Sequence, residues 1–510
     1  KSMVVTLPVI MILLDYWPLK RFQSQNDRYI AWQLKEKWPF FMMSVIFAMI
    51  TIFAQPNATA KAIPLILRLA NAPVSFLTYL AKSFFPQHMA VFYPFPLQLP
   101  VWQVIGSVVL ILGITSIVIA WMKCWPYLFF GWFWYAITLA PVIGIVAIGY
   151  FKMADRYYYL PSVGIAVMLA WGIPLLIKKE ETRKNVFPSA AIAVLIILAI
   201  ITWKQCSYWK TSLTLFNHTL QLNQDNYFAH DGLGIALLEK GEIEKAINHF
   251  GRAIQITPDY TPAYINRGNA YSELGRYQQA IADHNKAIRL ISDSEKAYNN
   301  RGIIYEKMGH YHKALEDYNT ALNLNNGFPD AYNNRGNIYH KLGDYQQAIK
   351  NYTKAIDLKS NYPEAYINRG VVYEKLGHYD KALEDYNTAL SLKKDFPDAY
   401  NNRGIIFGKL GKYRLAVNDF DSAIKLRGNY FEAYNNRGFS FYKMGQHQLA
   451  IDNFNKAIAH KPDYADAFSN RAVVYFTLGN KKFGCMDAQK ACALENCKTL
   501  ASAKKTGYCF

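Results

Sequence analysis

Metal-binding patterns are missing from this 510-residue sequence. It contains six cysteines, none of them in a Cys-x-x-Cys pair, and its 11 histidines are scattered along the chain. Structural zinc sites need closely spaced pairs of Cys or His ligands. The sequence therefore predicts no metal site.

Acidic residues are also in short supply. Lys and Arg number 56 against 37 Asp and Glu, which gives a formal net charge of +19. Such an excess can indicate nucleic-acid binding. However, residues 1–203 carry their basic excess in short loops between apolar runs, and from residue 204 onward the charges recur with a sequence repeat. Membrane topology and a solvated repeat surface explain these patterns, so we expect no nucleic-acid partner.

The start of the sequence has neither an initiator methionine nor a signal peptide. The chain opens Lys1-Ser2-Met3 and enters an apolar run over residues 3–17. That run is short for a membrane span, which needs about 20 residues. We therefore expect a C-terminal fragment whose upstream helices are missing.

Long apolar runs fill most of residues 1–203. Buried helices of a soluble protein are the alternative, but five runs of about spanning length in 200 residues favour a membrane. The runs cover residues 38–54, 101–122, 125–149, 159–177 and 186–203. With the partial run at the start, they predict a polytopic bundle of about six transmembrane helices, with residues 204–226 as a linker or first helix leading into the repeats.

The long loop between the second and third expected spans carries two further apolar segments. Residues 63–70 and 74–85 hold single charges at Arg68 and Lys82 and are separated by Pro73. Segments of this kind lie in the membrane interface as amphipathic helices. We expect interfacial helices within residues 60–90.

Basic residues alternate between rich and poor loops. The loops expected on one side hold ten Lys and Arg, and those on the other side hold five. Cytoplasmic loops carry the excess of Lys and Arg. The last span then exits outward, which places everything after residue 204 on the non-cytoplasmic side.

Asp155 and Arg156 form an adjacent acid and base where the run over residues 159–177 enters the membrane from outside. An Arg in such a place can hold a phosphate, and the Asp can orient it. The alternative is an interfacial ion pair above an aromatic belt, since Tyr157, Tyr158 and Tyr159 follow. The residues leave both interpretations open.

Three stretches of the membrane half resemble a known family. They are Gly-Trp-Phe-Trp-Tyr at 131–135, Leu-Ala-Pro-Val-Ile-Gly at 139–144 and Met-Ala-Asp-Arg-Tyr at 153–157. They look like the later helices of bacterial repeat-bearing glycosyltransferase-like proteins, which are similar to the transmembrane-and-tetratricopeptide-repeat O-mannosyltransferases. The resemblance implies a bacterial inner membrane, repeats on the periplasmic side, a polyprenyl-phosphate sugar donor, and a catalytic acid in a loop upstream of residue 1. It favours Asp155 and Arg156 as a lipid-phosphate site and leaves the catalytic residues of this chain unknown.

A 34-residue period governs the rest of the chain. The motif Asn-Arg-Gly recurs with Arg267, Arg301 and their successors at this spacing, and a glycine recurs eight times from Gly241 to Gly479 in the same register. A period of 34 is the signature of tetratricopeptide repeats, each a pair of helices. We expect an all-α chain in which an α-solenoid of eight repeats covers residues 227–498, followed by a tail at 499–510.

An asparagine precedes the arginine in repeats two to eight. A row of stacked amides can pair with an extended backbone without reading its side chains. The pattern resembles the asparagine ladder of O-GlcNAc transferase, and the alternative is that each Asn bonds within its own repeat. The candidate peptide-binding residues are Asn266, Asn300, Asn334, Asn368, Asn402, Asn436 and Asn470.

The arginine of the motif stands where such repeats usually carry Leu. Aspartates recur in the second helices at the same period, which predicts structural ion pairs, with a role in the binding groove as the alternative. The expected participants are Arg301, Arg335, Arg403, Asp283, Asp317 and Asp385. Four cysteines at the end, Cys485, Cys492, Cys497 and Cys509, are disulfide candidates if this part lies outside the cytoplasm.

Two functions fit these observations. One is a membrane-anchored scaffold that binds a polypeptide partner, with no cofactor and no catalysis. The other is the C-terminal part of a lipid-linked-sugar-dependent glycosyltransferase whose repeats present the acceptor protein. Fold alone does not separate them.

Overall fold

The computed structural model describes residues 6–21, 29–53, 64–84, 93–94, 99–143, 151–153, 158–176 and 180–509. These form two compact units, Lys1–Arg276 and Tyr277–Phe510. The boundary falls inside the second repeat.

The first unit begins with seven helices and one short antiparallel strand pair. The strands are β1 (Tyr93–Pro94) and β2 (Phe151–Met153), with Tyr93 opposite Met153. The helices are α1 (Leu7–Tyr16), α2 (Tyr29–Phe53), α3 (Leu65–Phe84), α4 (Val101–Ala120), α5 (Pro126–Leu139), α6 (Tyr159–Leu176) and α7 (Glu180–Tyr208). The chain is therefore all-α apart from this strand pair, within the residues described.

Prolines set the bounds of several of these helices. Pro126 occupies the first turn of α5, where its missing N–H costs nothing, and Pro141 follows just after the helix ends. The run expected over residues 125–149 therefore begins as a 14-residue helix followed by a 3-10 turn, Ala140–Val142. By contrast, α3 continues through Pro73, so the two segments expected there form one helix.

Two helices of the described part are long and apolar enough to cross a membrane. They are Val101–Ala120 and Pro188–Tyr208, the second being most of α7. Two of the remaining apolar helices, Leu7–Tyr16 and Tyr159–Leu175, are shorter than a span. The arrangement with six spans therefore stays a prediction.

Aromatic packing and close helix contact hold this half together. Tyr79 and Tyr135 are fully buried, and the Tyr135 hydroxyl donates a 2.7 Å hydrogen bond to the carbonyl oxygen of Phe76. Gly131 of α5 and Gly164 of α6 approach so closely that a Cβ on either would lie within 2.5 Å of the other's carbonyl oxygen. Small residues at such crossings let two apolar helices pack backbone to backbone.

A buried ion pair joins α1 to α2. The Asp15 carboxylate is 2.5 Å from the Lys37 ammonium, and both side chains are almost fully buried. Arg21 adds a second contact to Asp15 at 3.1 Å. Because a buried charge needs a partner, this contact fixes the two helices relative to each other.

The repeats follow directly from α7. The first unit ends with α8 (Ser212–Leu222), α9 (Tyr227–Glu239), α10 (Ile243–Ile256) and α11 (Thr261–Glu273). The expected linker at 204–226 thus consists of the end of α7 and a helix of its own, which packs on α9.

The second unit consists of helices in hairpin pairs. It contains α12 (Tyr277–Leu290), α13 (Glu295–Lys307), α14 (Tyr311–Leu324), α15 (Pro329–Lys341), α16 (Tyr345–Leu358), α17 (Pro363–Lys375), α18 (Tyr379–Leu392), α19 (Pro397–Lys409), α20 (Tyr413–Leu426), α21 (Phe431–Lys443), α22 (His447–His460), α23 (Ala465–Thr477), α24 (Lys481–Ala493) and α25 (Lys498–Lys505). Odd-numbered helices from α9 to α23 are the first helices of their repeats, and the even-numbered helices that follow them are the second.

The periodic glycine closes each first helix. In the fourth repeat Gly343 has φ of 82°, a left-handed conformation that glycine adopts without strain. Its N–H bonds the carbonyl of His340, and the N–H of Asp344 bonds that of Tyr339. This is the Schellman arrangement, and it turns the chain into the second helix.

A second glycine, within the first helix, leaves room for an aromatic ring of the second helix. A Cβ on Gly336 would lie 2.7 Å from the Tyr352 ring, which is fully buried. The same contact recurs in the second unit between Gly302 and Tyr318, Gly370 and Tyr386, Gly404 and Phe420, and Gly438 and Phe454. Helix pairing in each of these repeats therefore depends on the absence of a side chain at one position.

Residues 499–510, expected as a tail, are largely helical. Most of α25 lies in this segment, and α25 packs on α24 and α23. Cys485 is joined to Cys509, and Cys492 to Cys497. These are the four candidate cysteines, and their pairing ties the end of the chain to α24.

One buried histidine departs from the aromatic register. His284 of α12 stands 34 residues before Tyr318, is fully buried, and has no hydrogen-bond partner for either ring nitrogen among the described residues. Desolvation lowers its pKa to about 4. We expect His284→Phe to raise the free energy of unfolding by about 1–3 kcal/mol, because it removes unsatisfied buried nitrogens.

The gain should widen as the pH falls from 7 towards 4. As the pH falls through this range, His284 becomes protonated in the unfolded chain but stays largely neutral in the folded chain. Acid therefore favours unfolding of the wild type. Thermal unfolding followed by circular dichroism measures the difference. The exposed His312→Phe serves as the control, and equal melting of the two variants would contradict the prediction.

Candidate functional site

The first helices form the closely spaced side of the repeat stack. In the second unit each of them contacts the first helix of the next repeat, from α13 to α23. Second helices approach one another less closely. The first helices therefore line the inner face of the stack, where an extended ligand meets several repeats at once.

The candidate asparagines lie in these first helices, and all seven are half-buried. Asn266 belongs to the first unit. Asn300, Asn334, Asn368, Asn402, Asn436 and Asn470 succeed one another in the second. The structure thus brings six of the candidates into one row.

Most amides of the row bond to the preceding repeat. Asn334 donates from Nδ2 to the Asn299 oxygen at 3.1 Å, and Asn436 donates to Asn401 at the same distance. Asn470 donates in the same way to Asn435 at 2.9 Å. The row therefore connects repeats, in addition to whatever it offers a ligand.

The acceptors in these bonds are asparagines that the sequence interpretation missed. Asn299, Asn333, Asn401 and Asn435 each precede a row residue, and each is at most 6 % exposed. The doubled Asn-Asn in front of Arg is the signal that could have found them. In the fifth repeat this position holds Ile367. Asn402 of the sixth repeat therefore has no amide at that position to which it could donate, unlike its counterparts in neighbouring repeats.

Hydrogen-bonding capacity remains on the row. A side-chain amide carries two N–H donors and an oxygen with two acceptor sites. Asn334 uses one donor towards Asn299, and the structure shows no bond to its oxygen within the described repeats. Asn334 can therefore still donate to and accept from an extended backbone.

The arginine beside each row amide connects three helices. Arg403 donates from Nε and Nη2 to both oxygens of Asp419 at 2.8 and 2.7 Å, and from Nη1 to the Asn387 oxygen at 2.7 Å. Asp419 lies in the second helix of the same repeat, and Asn387 in that of the preceding repeat. Arg301 with Asp317, Arg369 with Asp385, and Arg471 with Asp487 repeat this geometry.

One position differs from the expected ion pairs. Arg335 bonds the Asn351 oxygen at 2.8 Å and the Asn319 oxygen at 2.7 Å, and no carboxylate of the described chain lies within ion-pair distance. Arg335 was expected as an ion-pair member, so that expectation is corrected, because an amide takes the place of the acid. Asp283 is 6 % exposed on α12.

The lipid-phosphate candidates lie outside the described residues. Asp155 and Arg156 fall between β2 and α6, in the undescribed segment 154–157. Their proposed role stays a prediction.

Family profiles match the repeat region. The profile described as TPR repeat matches residues 234–275, 268–309, 307–343, 336–377 and 406–445, and the one described as Tetratricopeptide repeat matches 363–396 and 431–464. The chain therefore carries tetratricopeptide repeats in these residues. The predicted repeat class is confirmed.

Among curated proteins the chain is similar to protein O-mannosyl-transferases. It is 28% identical over 118 residues to Tmtc3 of Drosophila melanogaster, covering 23% of this chain and 13% of that protein. It is 29% identical over 100 residues to TMTC4 of Homo sapiens, covering 20% and 13%. The chain thus matches about an eighth of the length of each relative.

Solved repeat proteins resemble it at low identity. A tetratricopeptide repeat protein from Parabacteroides merdae is 21% identical, covers 49% of this chain and 99% of its own, and has a TM-score of 0.39. The Cut9–Hcn1 assembly is 17% identical, covers 57% and 61%, and has a TM-score of 0.44.

The arginine geometry predicts unequal costs of substitution. Arg403→Leu leaves Asp419 as a buried carboxylate without a cation, and we expect a loss of about 3 kcal/mol in the stability of that repeat. Arg335→Leu leaves only neutral amides, so we expect a loss of about 1–2 kcal/mol. Hydrogen–deuterium exchange over α19–α20 and α15–α16 measures both.

The matched control is the double variant Arg403→Leu, Asp419→Asn. Removing the stranded charge should recover part of the stability lost by Arg403→Leu. Equal exchange for the two single variants would contradict the assignment of a buried ion pair at Arg403.

Proposed function

We propose that this chain is a membrane-anchored scaffold whose row of amides binds an extended polypeptide. The observation that carries the proposal is the row itself, which presents half-buried amides at a fixed 34-residue spacing, with the Asn334 oxygen accepting no bond within the described repeats. Such a surface pairs with backbone groups and tolerates many side chains.

Anchorage by the first half supports this arrangement. Pro188–Tyr208 is long and apolar enough to span, and α8 follows it after three residues and packs on the first repeat. A span in this place ties the repeats to the membrane surface. In this proposal the membrane is the inner membrane of a bacterium and the repeats lie on the periplasmic side.

Similarity to protein O-mannosyl-transferases supports a role in protein glycosylation. In this proposal the repeats hold the acceptor polypeptide, and a polyprenyl-phosphate sugar is the donor. Asp155 and Arg156 hold the lipid phosphate. The catalytic acid is supplied by sequence outside this chain.

The amide row is tested by Asn→Ala changes with a neutral Ser- and Thr-rich peptide. The pair Asn334→Ala and Asn368→Ala should weaken binding by about 1–3 kcal/mol, since each lost hydrogen bond contributes roughly 0.5–1.5 kcal/mol. These changes also remove inter-repeat bonds, so the melting temperature should fall. Asn402→Ala should weaken binding with a smaller loss of stability.

Fluorescence anisotropy of the labelled peptide gives the affinity, and the exposed Asn326→Ala is the control. Unchanged affinity for Asn402→Ala together with unchanged affinity for the pair would contradict the proposal. The amides would then be connections between repeats alone.

Topology has a separate test. Alkaline phosphatase fused after Phe510 should be active in bacterial cells, because this reporter folds only outside the cytoplasm and the distribution of basic residues among the loops favours that side for the repeats. A green fluorescent protein fusion at the same residue should stay dark when exported by the general secretory route. The reverse pattern would contradict the periplasmic assignment.

A further inference from the structure

A cavity of about 160 Å³ lies in the first unit, in the first repeat where α8 packs on α9. The apolar residues Phe216, Phe228 and Ile235 line it, together with the acidic residues Asp231 and Glu239. A single water needs only about 10–15 Å³ measured in this way. The cavity therefore has room for the end of a side chain.

Asp231 is the unusual group in this cavity. It is 6 % exposed, and its oxygens accept hydrogen bonds from Asn266 Nδ2 at 2.9 Å and from the Tyr260 hydroxyl at 3.3 Å. A carboxylate offers about four acceptor sites, so two remain. No Lys, Arg or His of the described chain lies within ion-pair distance of it, although buried carboxylates are normally paired.

The charge at this position is not required by the repeat. Counting in steps of 34 residues, the corresponding positions hold neutral amides in four later repeats: Asn299, Asn333, Asn401 and Asn435. An amide in place of the Asp231 carboxylate could accept the Asn266 hydrogen bond on its oxygen and donate to the Tyr260 hydroxyl, without the cost of burying a charge. Desolvation raises the pKa of Asp231 to about 6, which leaves the carboxylate ionised at neutral pH and in need of a counter-charge.

We propose that this cavity binds the cationic side chain of a lysine or arginine carried by a polypeptide. The Asp231 carboxylate pairs with the cation, and the apolar lining residues contact its aliphatic stem. Glu239 adds a second negative charge at the exposed rim. Phosphates and other anions are disfavoured here, which separates this cavity from any site for a lipid-linked donor.

The aromatic wall is held in place by a close contact. A Cβ on Gly232 would lie 2.3 Å from the Phe216 ring. The Phe216 ring of α8 therefore packs directly on the backbone of α9. This contact fixes the position of a ring that lines the cavity.

The test uses the full chain in detergent and three peptides that differ at one residue. They are acetyl-Ser-Gly-Lys-Gly-Ser-amide and its counterparts with norleucine or Nε-acetyl-lysine in place of lysine. At pH 7.5 and low salt we expect the lysine peptide to bind at least about fivefold more tightly than either neutral counterpart. Asp231→Asn should abolish this preference, and the exposed Asp259→Asn should leave it unchanged.

Equal affinity for the three peptides, or no binding of the lysine peptide, overturns the inference. A preference that survives Asp231→Asn also overturns it. Should Asp231→Asn fail to fold, the peptide comparison on the wild-type chain decides alone. The inference rests on the proposed function only in that a polypeptide carries the cation. The pair Asn334→Ala, Asn368→Ala, which removes two amides of the row, should leave the lysine preference intact.

Discussion

A guanidinium group placed between second helices controls the geometry of the repeat stack. Arg403 lies in a first helix and bonds Asp419 of its own repeat together with Asn387 of the repeat before. This one side chain thus fixes the distance between successive second helices through hydrogen bonds. A leucine in its place could connect them only by apolar packing. Because the row amide is the residue just before this arginine, the arginine also determines where each amide lies on the inner face.

The contacts within one repeat depend only on residues that are close in sequence, and the sequence alone predicts them. Gly343 marks the turn because only glycine takes that backbone conformation freely, and Asp317 stands 16 residues after Arg301, a spacing that two helices joined by a short turn bring together. Contacts between repeats are a different matter. The bond from Asn334 to Asn299 crosses 35 residues and depends on how far one repeat rotates against the next, which no local pattern encodes.

Substitutions within the period show where local chemistry is insufficient. Asn351 replaces the expected acid and still accepts a bond from Arg335, since an amide oxygen meets the guanidinium at the same place as a carboxylate oxygen. The period therefore predicts the contact and does not predict its charge. In residues 1–203 the sequence has no such period, and the effect of a proline depends on its surroundings: Pro141 lies two residues beyond the end of α5, whereas α3 continues through Pro73.

The first repeat shows how a repeated framework acquires a site of its own. Its hydrogen-bond frame is that of the other repeats, with Asn266 donating to the residue 35 positions earlier, as Asn334 does. What differs is the acceptor, which is a carboxylate at Asp231 and an amide in later repeats. Since an amide oxygen can accept the bond from Asn266 as those of later repeats accept theirs, this connection between repeats does not require the charge. In the proposed complex, a cationic ligand that enters the neighbouring cavity offsets the cost of desolvating the Asp231 carboxylate.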